Sequence, residues 1–131
     1  MSDEIIDKVL SLKTWAIVGL SNNQERPAFG VSALLKAKGH RIVPVHPKAE
    51  SVHGEQGFAS LSAIPFPIDV VDIFVNSSLA GGVVDEAISI HAKAVWLQLD
   101  VIDEAACARA EQAGLMSVMN HCPAIEYRLR N

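Results

Sequence analysis

Two places in this 131-residue chain hold residue types whose spacing suits chemistry. The first is Trp15-Ala16-Ile17-Val18-Gly19-Leu20-Ser21, followed by the polar run Asn22-Asn23-Gln24-Glu25-Arg26 and then by Pro27-Ala28-Phe29-Gly30. An apolar run that stops at Gly-x-Ser presents backbone N–H groups with no bulky side chain in front of them. A helix starting just beyond points the positive end of its dipole at the same spot. The chemistry that fits is the binding of a phosphate. The loop departs from the dinucleotide fingerprint G-x-G-x-x-G, because Ser21 and Gln24 stand where its second and third glycines belong and the next glycine is Gly30. The second place is His121-Cys122. A thiolate nucleophile needs a base in contact, and neighbours in an extended segment face opposite ways, so His121 is badly placed to activate Cys122. A structural or ligand-lining role is the better reading of this pair. No paired carboxylates, metal-ligand cluster or Ser-His-Asp arrangement assembles from the remaining residues, so neither catalytic nor metal-binding residues are expected. Asp69 and Asp72 read as loop or edge carboxylates, and Glu126 has no assigned role.

The elements that must position the first loop follow from periodicity. Residues 2–11 form an amphipathic helix with Ser2 as its cap and Ile5, Ile6, Val9 and Leu10 on one face. Strand one ends at Gly19. Pro27 suits the first turn of a helix with Val31, Leu34 and Leu35 inward, and Gly39 closes it. Strand two runs from His40 to Val45. The stretch 51–67, punctuated by Gly54, Gly57, Pro65 and Pro67, is a loop with one short helical turn near Leu61. Strand three covers Val70 to Val75 and ends in Asn76-Ser77-Ser78, a helix covers Leu79 to His91, and strand four spans Ala94 to Leu99. The pair Gly81-Gly82 weakens that helix by about 1 kcal/mol per glycine, which close packing or a close ligand would justify. Asp103 caps the next helix, Gly114 ends it, and Leu115 to Met119 is the last strand. The tail from Tyr127 is short and basic.

Alternating strands and helices define an α/β, Rossmann-like three-layer sandwich: a five-stranded parallel sheet, expected in the order 3-2-1-4-5, with helices on both faces. Strand one is then interior, and a ligand crevice opens beside its carboxyl end. Length and a 50% apolar, 20% charged composition predict a single domain over residues 1–131, rather than a disordered chain. The acidic start Met1-Ser2-Asp3-Glu4 has no signal-peptide pattern, and no apolar run reaches the ~18 residues of a membrane span. Two cysteines outside any C-x-x-C motif suit a reducing compartment. A cytoplasmic protein is therefore expected, without membrane or nucleic acid as partner, the latter disfavoured by the net charge of −4.

Charge is unevenly spread. Between Arg26 and His53 lie Arg26, Lys36, Lys38, Arg41 and Lys48 against the single acid Glu50, although Lys36 and Lys38 read as a solvated helix face. An NAD site places an acid at the end of the second strand to hold the ribose 2′-hydroxyl. None occurs from Pro27 to Lys48, which disfavours NAD and tolerates NADP or another phosphorylated nucleotide. Pro44 and Pro47 form a rigid ledge on which a flat base can lie.

V-G-L-S with R-P-A-F-G, then V-P-V-H-P-K, G-E-Q-G-F at 54–58, L-Q at 97–98 and M-N-H-C-P-A-I-E at 119–126 together resemble the small stand-alone CoA-binding domain proteins, the YccU-like family. That family is similar to the CoA-binding domain of the succinyl-CoA synthetase α subunit. The resemblance implies binding of coenzyme A or an acyl-CoA, with Gly19, Leu20 and Ser21 on the pyrophosphate and Arg26 neutralising phosphate charge. It places Val45, His46 and Pro47 beside the adenosine and Asn76 with Ser77 along the pantetheine arm. His46 stands where the family often has Asn. The functional alternative for Cys122, resting on its sequence position alone, is that it lies near the thiol end of CoA and exchanges with it as a mixed disulfide. The phosphohistidine of the synthetases lies in a domain absent from this chain, so His121 does not inherit that role. The resulting expectation is a non-catalytic binding module. An NADP- or other nucleotide-dependent oxidoreductase using the same crevice is the alternative, and a regulatory adaptor with an unknown protein partner is a third reading.

Overall fold

The computed structural model describes residues 3–130. Its elements in chain order are α1 (Asp3–Leu10), β1 (Thr14–Val18), α2 (Pro27–Ala37), β2 (Arg41–Val45), a single 3-10 turn (Leu61–Ala63), β3 (Val70–Ile73), α3 (Ser77–Ser89), β4 (Ala94–Leu97), α4 (Glu104–Gln112), β5 (Met116–Met119) and α5 (Pro123–Leu129). All five strands are parallel. Alternate strand residues feed two cores. Trp15, Ile17, Val70, Trp96 and Val118 pack under α1, α2 and α5. Ala16, Val43, Val71, Ile73, Val95 and Leu97 pack under α3, α4 and the 3-10 turn. Strands buried on both faces read as continuous apolar runs for this reason. The expected three-layer, Rossmann-like α/β class is the one observed.

The strand order is 2-1-3-4-5, not 3-2-1-4-5. β3 lies on the far side of β1, and β2 is the sheet edge. Pro44 shows why. Its carbonyl faces outward and accepts from Phe58 N–H at 3.0 Å, so its ring nitrogen, which has no proton to donate, faces outward too. A proline in a sheet belongs on such an edge. Val70 to Ile73, buried at every position, belongs inside. The chain between β2 and β3 covers part of the open edge through the Val45–Phe58 bridge. Either order leaves β1 beside the topological switch point. In the observed one the crevice opens between the carboxyl ends of β1 and β3.

Local expectations held where local rules apply. Asp103 accepts from Ala106 N–H at 3.0 Å as the α4 cap, and the 3-10 turn sits at Leu61. The proposed cap Ser2 lies outside the described residues. The stretch after Cys122, to which the sequence assigned no element, is a helix, α5. Its start is marked by Pro123 in the first turn, and its end is tied to α1 by Arg130, which bonds Asp7 and, at 2.9 Å, Glu126. His40, on the same side, donates from Nδ1 to Leu12 O at 2.8 Å and meets the Tyr127 hydroxyl at Nε2. Burial holds its pKa below the usual histidine value.

Candidate functional site

A cleft of about 1220 Å³ opens at the carboxyl ends of β1, β2, β3 and β4. Its floor is set by Gly19, whose φ is +98° and which donates its N–H to Val45 O at 2.8 Å. A Cβ built there would sit 2.6 Å from Phe74 O. Glycine is therefore required both by conformation and by the approach of the segment leaving β3. The loop beyond is ordered by short-range bonds: Asn23 N–H to Ser21 Oγ at 3.3 Å and Glu25 N–H to Asn23 Oδ1 at 3.0 Å. Asn22 Nδ2 donates to Ser51 O at 3.0 Å, and Asn22 N–H reaches Glu50 Oε1 at 3.4 Å. A carboxylate of the protein thus already leans on an amide of the loop. Gly57 lets the chain fold that tightly, since a Cβ on it would lie 2.1 Å from Glu50 O.

Two helix starts face this cleft. Arg26, Pro27 and Ala28 bring in α2, and Asn76 and Ser77 bring in α3. Neither helix has a side-chain cap or an acid in its first turn. The other three helices carry Asp3 and Glu4, Glu104, and Glu126 there. A carboxylate in the first turn neutralises the positive helix end, so the two that open on the cleft are the two left to attract an external anion. The cations Arg26 and Lys48 line the same space. Among the described residues neither is ion-paired, whereas Lys36 is held by Glu55 at 3.0 Å. Glu50, Glu86 and Asp100 also lie on the lining, so the cleft is not uniformly basic.

Gly19, Ser21, Arg26, Val45, His46, Pro47, Asn76 and Ser77 all border the cleft. Leu20 does not. Its side chain is 0% exposed among core residues of α2 and β1, which leaves only its backbone on the loop. Pro44 is buried in β2, so the expected ledge has one proline, Pro47, with His46 beside it accepting from Lys48 N–H at Nδ1, 3.2 Å away. Ser77 Oγ is already engaged, donating to Asp100 O at 3.2 Å and accepting from Ile102 N–H at 2.9 Å.

Cys122 is buried at the start of α5 and packs in the core rather than on the cleft. This position agrees with the structural role preferred for the pair and not with the alternative beside a ligand thiol: the helix that follows turns the side chain under the sheet. His121 Nδ1 pairs with Glu126 Oε2 at 3.2 Å, which gives both residues a structural role. Asp69 receives Thr14 N–H at 3.0 Å and pairs with Lys93 at 3.4 Å. Asp72 is fully buried in an interior strand, not on a loop or edge. Gln98, Glu50, Leu79 and Leu99 are lining residues that the sequence reading left out. The L-Q pair at 97–98 was the signal that touched Gln98.

Of the two helix glycines, Gly81 meets Asp103 Oδ2 at 3.0 Å from its ideal Cβ, whereas nothing lies within 4 Å of one on Gly82. Gly82→Ala should therefore raise stability by about 1 kcal/mol, measured by urea unfolding. An unchanged or lowered midpoint would show hidden strain at that turn.

Among the described residues no helix is long and apolar enough to cross a membrane and no cluster of metal-ligating side chains occurs. Fold and site together define a doubly wound α/β protein with an anion-receptive crevice at its switch point. The chain belongs to the CoA binding domain family, whose model matches residues 13–128. It is 31% identical over 119 residues to the uncharacterized protein YneT of Bacillus subtilis (strain 168), covering 91% of this chain and 88% of that protein. A hypothetical protein from Pyrococcus horikoshii OT3 superposes with a TM-score of 0.91 at 37% identity, over 98% of this chain and 92% of its own. A Thermus thermophilus structure, cell-free ID.343, gives 0.91 at 30% identity, over 98% of each chain.

Proposed function

We propose that the protein binds coenzyme A, free or acylated, in this cleft and performs no chemistry on it. Within the CoA-binding family assignment, the observation that carries the reading is the convergence of two acid-free helix starts, the Gly19 loop and the unpaired Arg26 on one crevice. CoA is a polyanion with a diphosphate and a 3′-phosphate. The diphosphate lies on the Gly19-Leu20-Ser21 backbone, where helix ends replace counterions. Arg26 and Lys48 supply charge for the remaining phosphate, and Val45, His46 and Pro47 flank the adenosine. Asn76 and Ser77 border the start of the arm. A bound phosphate displaces the Glu50 carboxylate from Asn22. Absence of an acid at the end of β2 favours a ligand with phosphate near the ribose. Among the described residues the cleft holds no cluster of metal-ligating side chains and no lining hydroxyl or thiol hydrogen-bonded to a histidine or carboxylate, and in this reading the domain acts by occupancy.

Calorimetric titration with CoA, acetyl-CoA, NAD and NADP tests this. Binding of the CoA species and not NAD is expected. Arg26→Ala should weaken it about tenfold, equivalent to about 1.4 kcal/mol, with a shallower dependence on salt because one exposed charge contact is gone. NADP binding without CoA binding would overturn the proposal and favour the oxidoreductase alternative.

A further inference from the structure

The cleft that gathers two helix starts and two cations also holds an acid aimed at its loop. Glu50 is half-buried on the lining, and its Oε1 accepts the Asn22 N–H at 3.4 Å. Among the described residues it pairs with no cation, although Arg26 and Lys48 border the same space. Its backbone is braced on both sides. Asn22 Nδ2 ties the loop to the next residue through Ser51 O at 3.0 Å, and Gly57 lies against the Glu50 carbonyl. Just beyond, Val52 and Glu55 exchange backbone bonds at 3.1 and 2.9 Å. Lys36 of α2 holds Glu55 at 3.0 Å and donates to the His53 carbonyl, while His53 Nε2 meets Phe29 O at 2.9 Å and Ser32 Oγ at 3.1 Å. This small hairpin is thereby fastened to α2, and it delivers Glu50 to the loop. A carboxylate on a loop N–H takes a bond that a phosphate oxygen would otherwise take, and its charge opposes any anion on the neighbouring amides.

We infer that Glu50 is an internal competitor for the phosphate loop: it holds the Asn22 amide in the free protein, and an incoming anion has to displace it. The inference rests on the phosphate-binding part of the CoA reading above and adds an affinity-setting residue to it. The opposing charge lowers the affinity of every anion. A ligand that spreads several charges over the loop, both helix ends and Arg26 stays bound against it, whereas a single small anion does not. The loop is thus made selective for polyphosphate esters without any contact to base or arm.

The test titrates CoA and inorganic pyrophosphate into the parent, Glu50→Gln and Glu25→Gln. Glu25 is an exposed acid of the same loop that lies off the cleft lining, so its substitution makes the same change in net charge. Glu50→Gln should tighten both ligands about 3- to 10-fold at low salt, Glu25→Gln should change them by less than about twofold, and the gain should shrink at about 0.5 M salt, where the opposing charge is screened. Unchanged or weaker binding by Glu50→Gln, or an equal gain from Glu25→Gln, would overturn the inference and, with the parent still binding CoA, leave the CoA reading standing. Pyrophosphate tightened by Glu50→Gln with CoA bound by none of the three proteins would do the reverse. Binding of neither ligand would overturn both.

Discussion

Gly19→Ala is expected to destabilise the protein by about 2–6 kcal/mol and to abolish CoA binding at temperatures where the variant is still folded. Two costs add. The left-handed φ of +98° strains any residue with a Cβ, by about 1–3 kcal/mol. The new carbon, 2.6 Å from Phe74 O, forces overpacking against backbone, which costs a further ~1–3 kcal/mol. Relief requires the end of β3 to move, and with it Asn76 and the first turn of α3. Stability loss and binding loss thus share one displacement. Urea unfolding should show a lower midpoint at unchanged slope, with Gly82→Ala as a control that moves the other way. A Gly19→Ala midpoint equal to that of the parent would mean that the loop yields freely and does not define the cleft floor.

Asp72→Asn should stabilise the protein at pH 8 by about 2 kcal/mol or more and make no comparable difference at pH 4. Asp72 is 0% exposed on β3, level with Ile17 and Trp96 of the neighbouring strands, and neither carboxylate oxygen has a hydrogen-bond partner. Desolvation raises its pKa well above 3.8 in the folded protein. The sign follows from proton binding. As pH climbs past 3.8 the unfolded chain releases this proton and the folded chain keeps it, so the folded state loses up to about 1.4 kcal/mol per pH unit until its own, raised pKa is passed. Asparagine has no proton to lose and escapes that slope. Denaturant unfolding of both proteins from pH 4 to 8 should give curves that separate upward. Parallel curves would show that the carboxyl ionises inside the sheet at ordinary pH, through relaxation or water entry. His40 contributes with the opposite sign in both proteins: its lowered pKa makes acid below its unfolded value destabilising, and that contribution cancels in the comparison.

Gly19 shows how the cleft is organised. On the proposed reading, the wall of the cleft holds groups that suit an anionic ligand: two helix starts without side-chain caps and the cations Arg26 and Lys48. Such features cost stability in the free protein, and proteins tolerate them where function needs them.

The sequence by itself determined the elements and the loop. A run such as Trp15 to Val18 ending at Gly19, a proline at the start of α2, the Asp103 cap and the Leu61 turn are specified by neighbours a few residues away, through periodicity, φ restriction and capping. The absence of an acid at the end of β2 was equally legible. Tertiary structure alone decided which side of β1 receives β3, because 24 residues of connecting chain can reach either side and only the edge role of Pro44 and the burial of Val70–Ile73 discriminate. It also decided that Asp72 lacks a partner, that Leu20 and Cys122 turn into the core, and that Gln98 and Glu50 border the cleft. These facts depend on what a side chain meets across the sheet or between loops far apart in sequence. No local pattern encodes that encounter; the packing of both helix layers onto the sheet determines it.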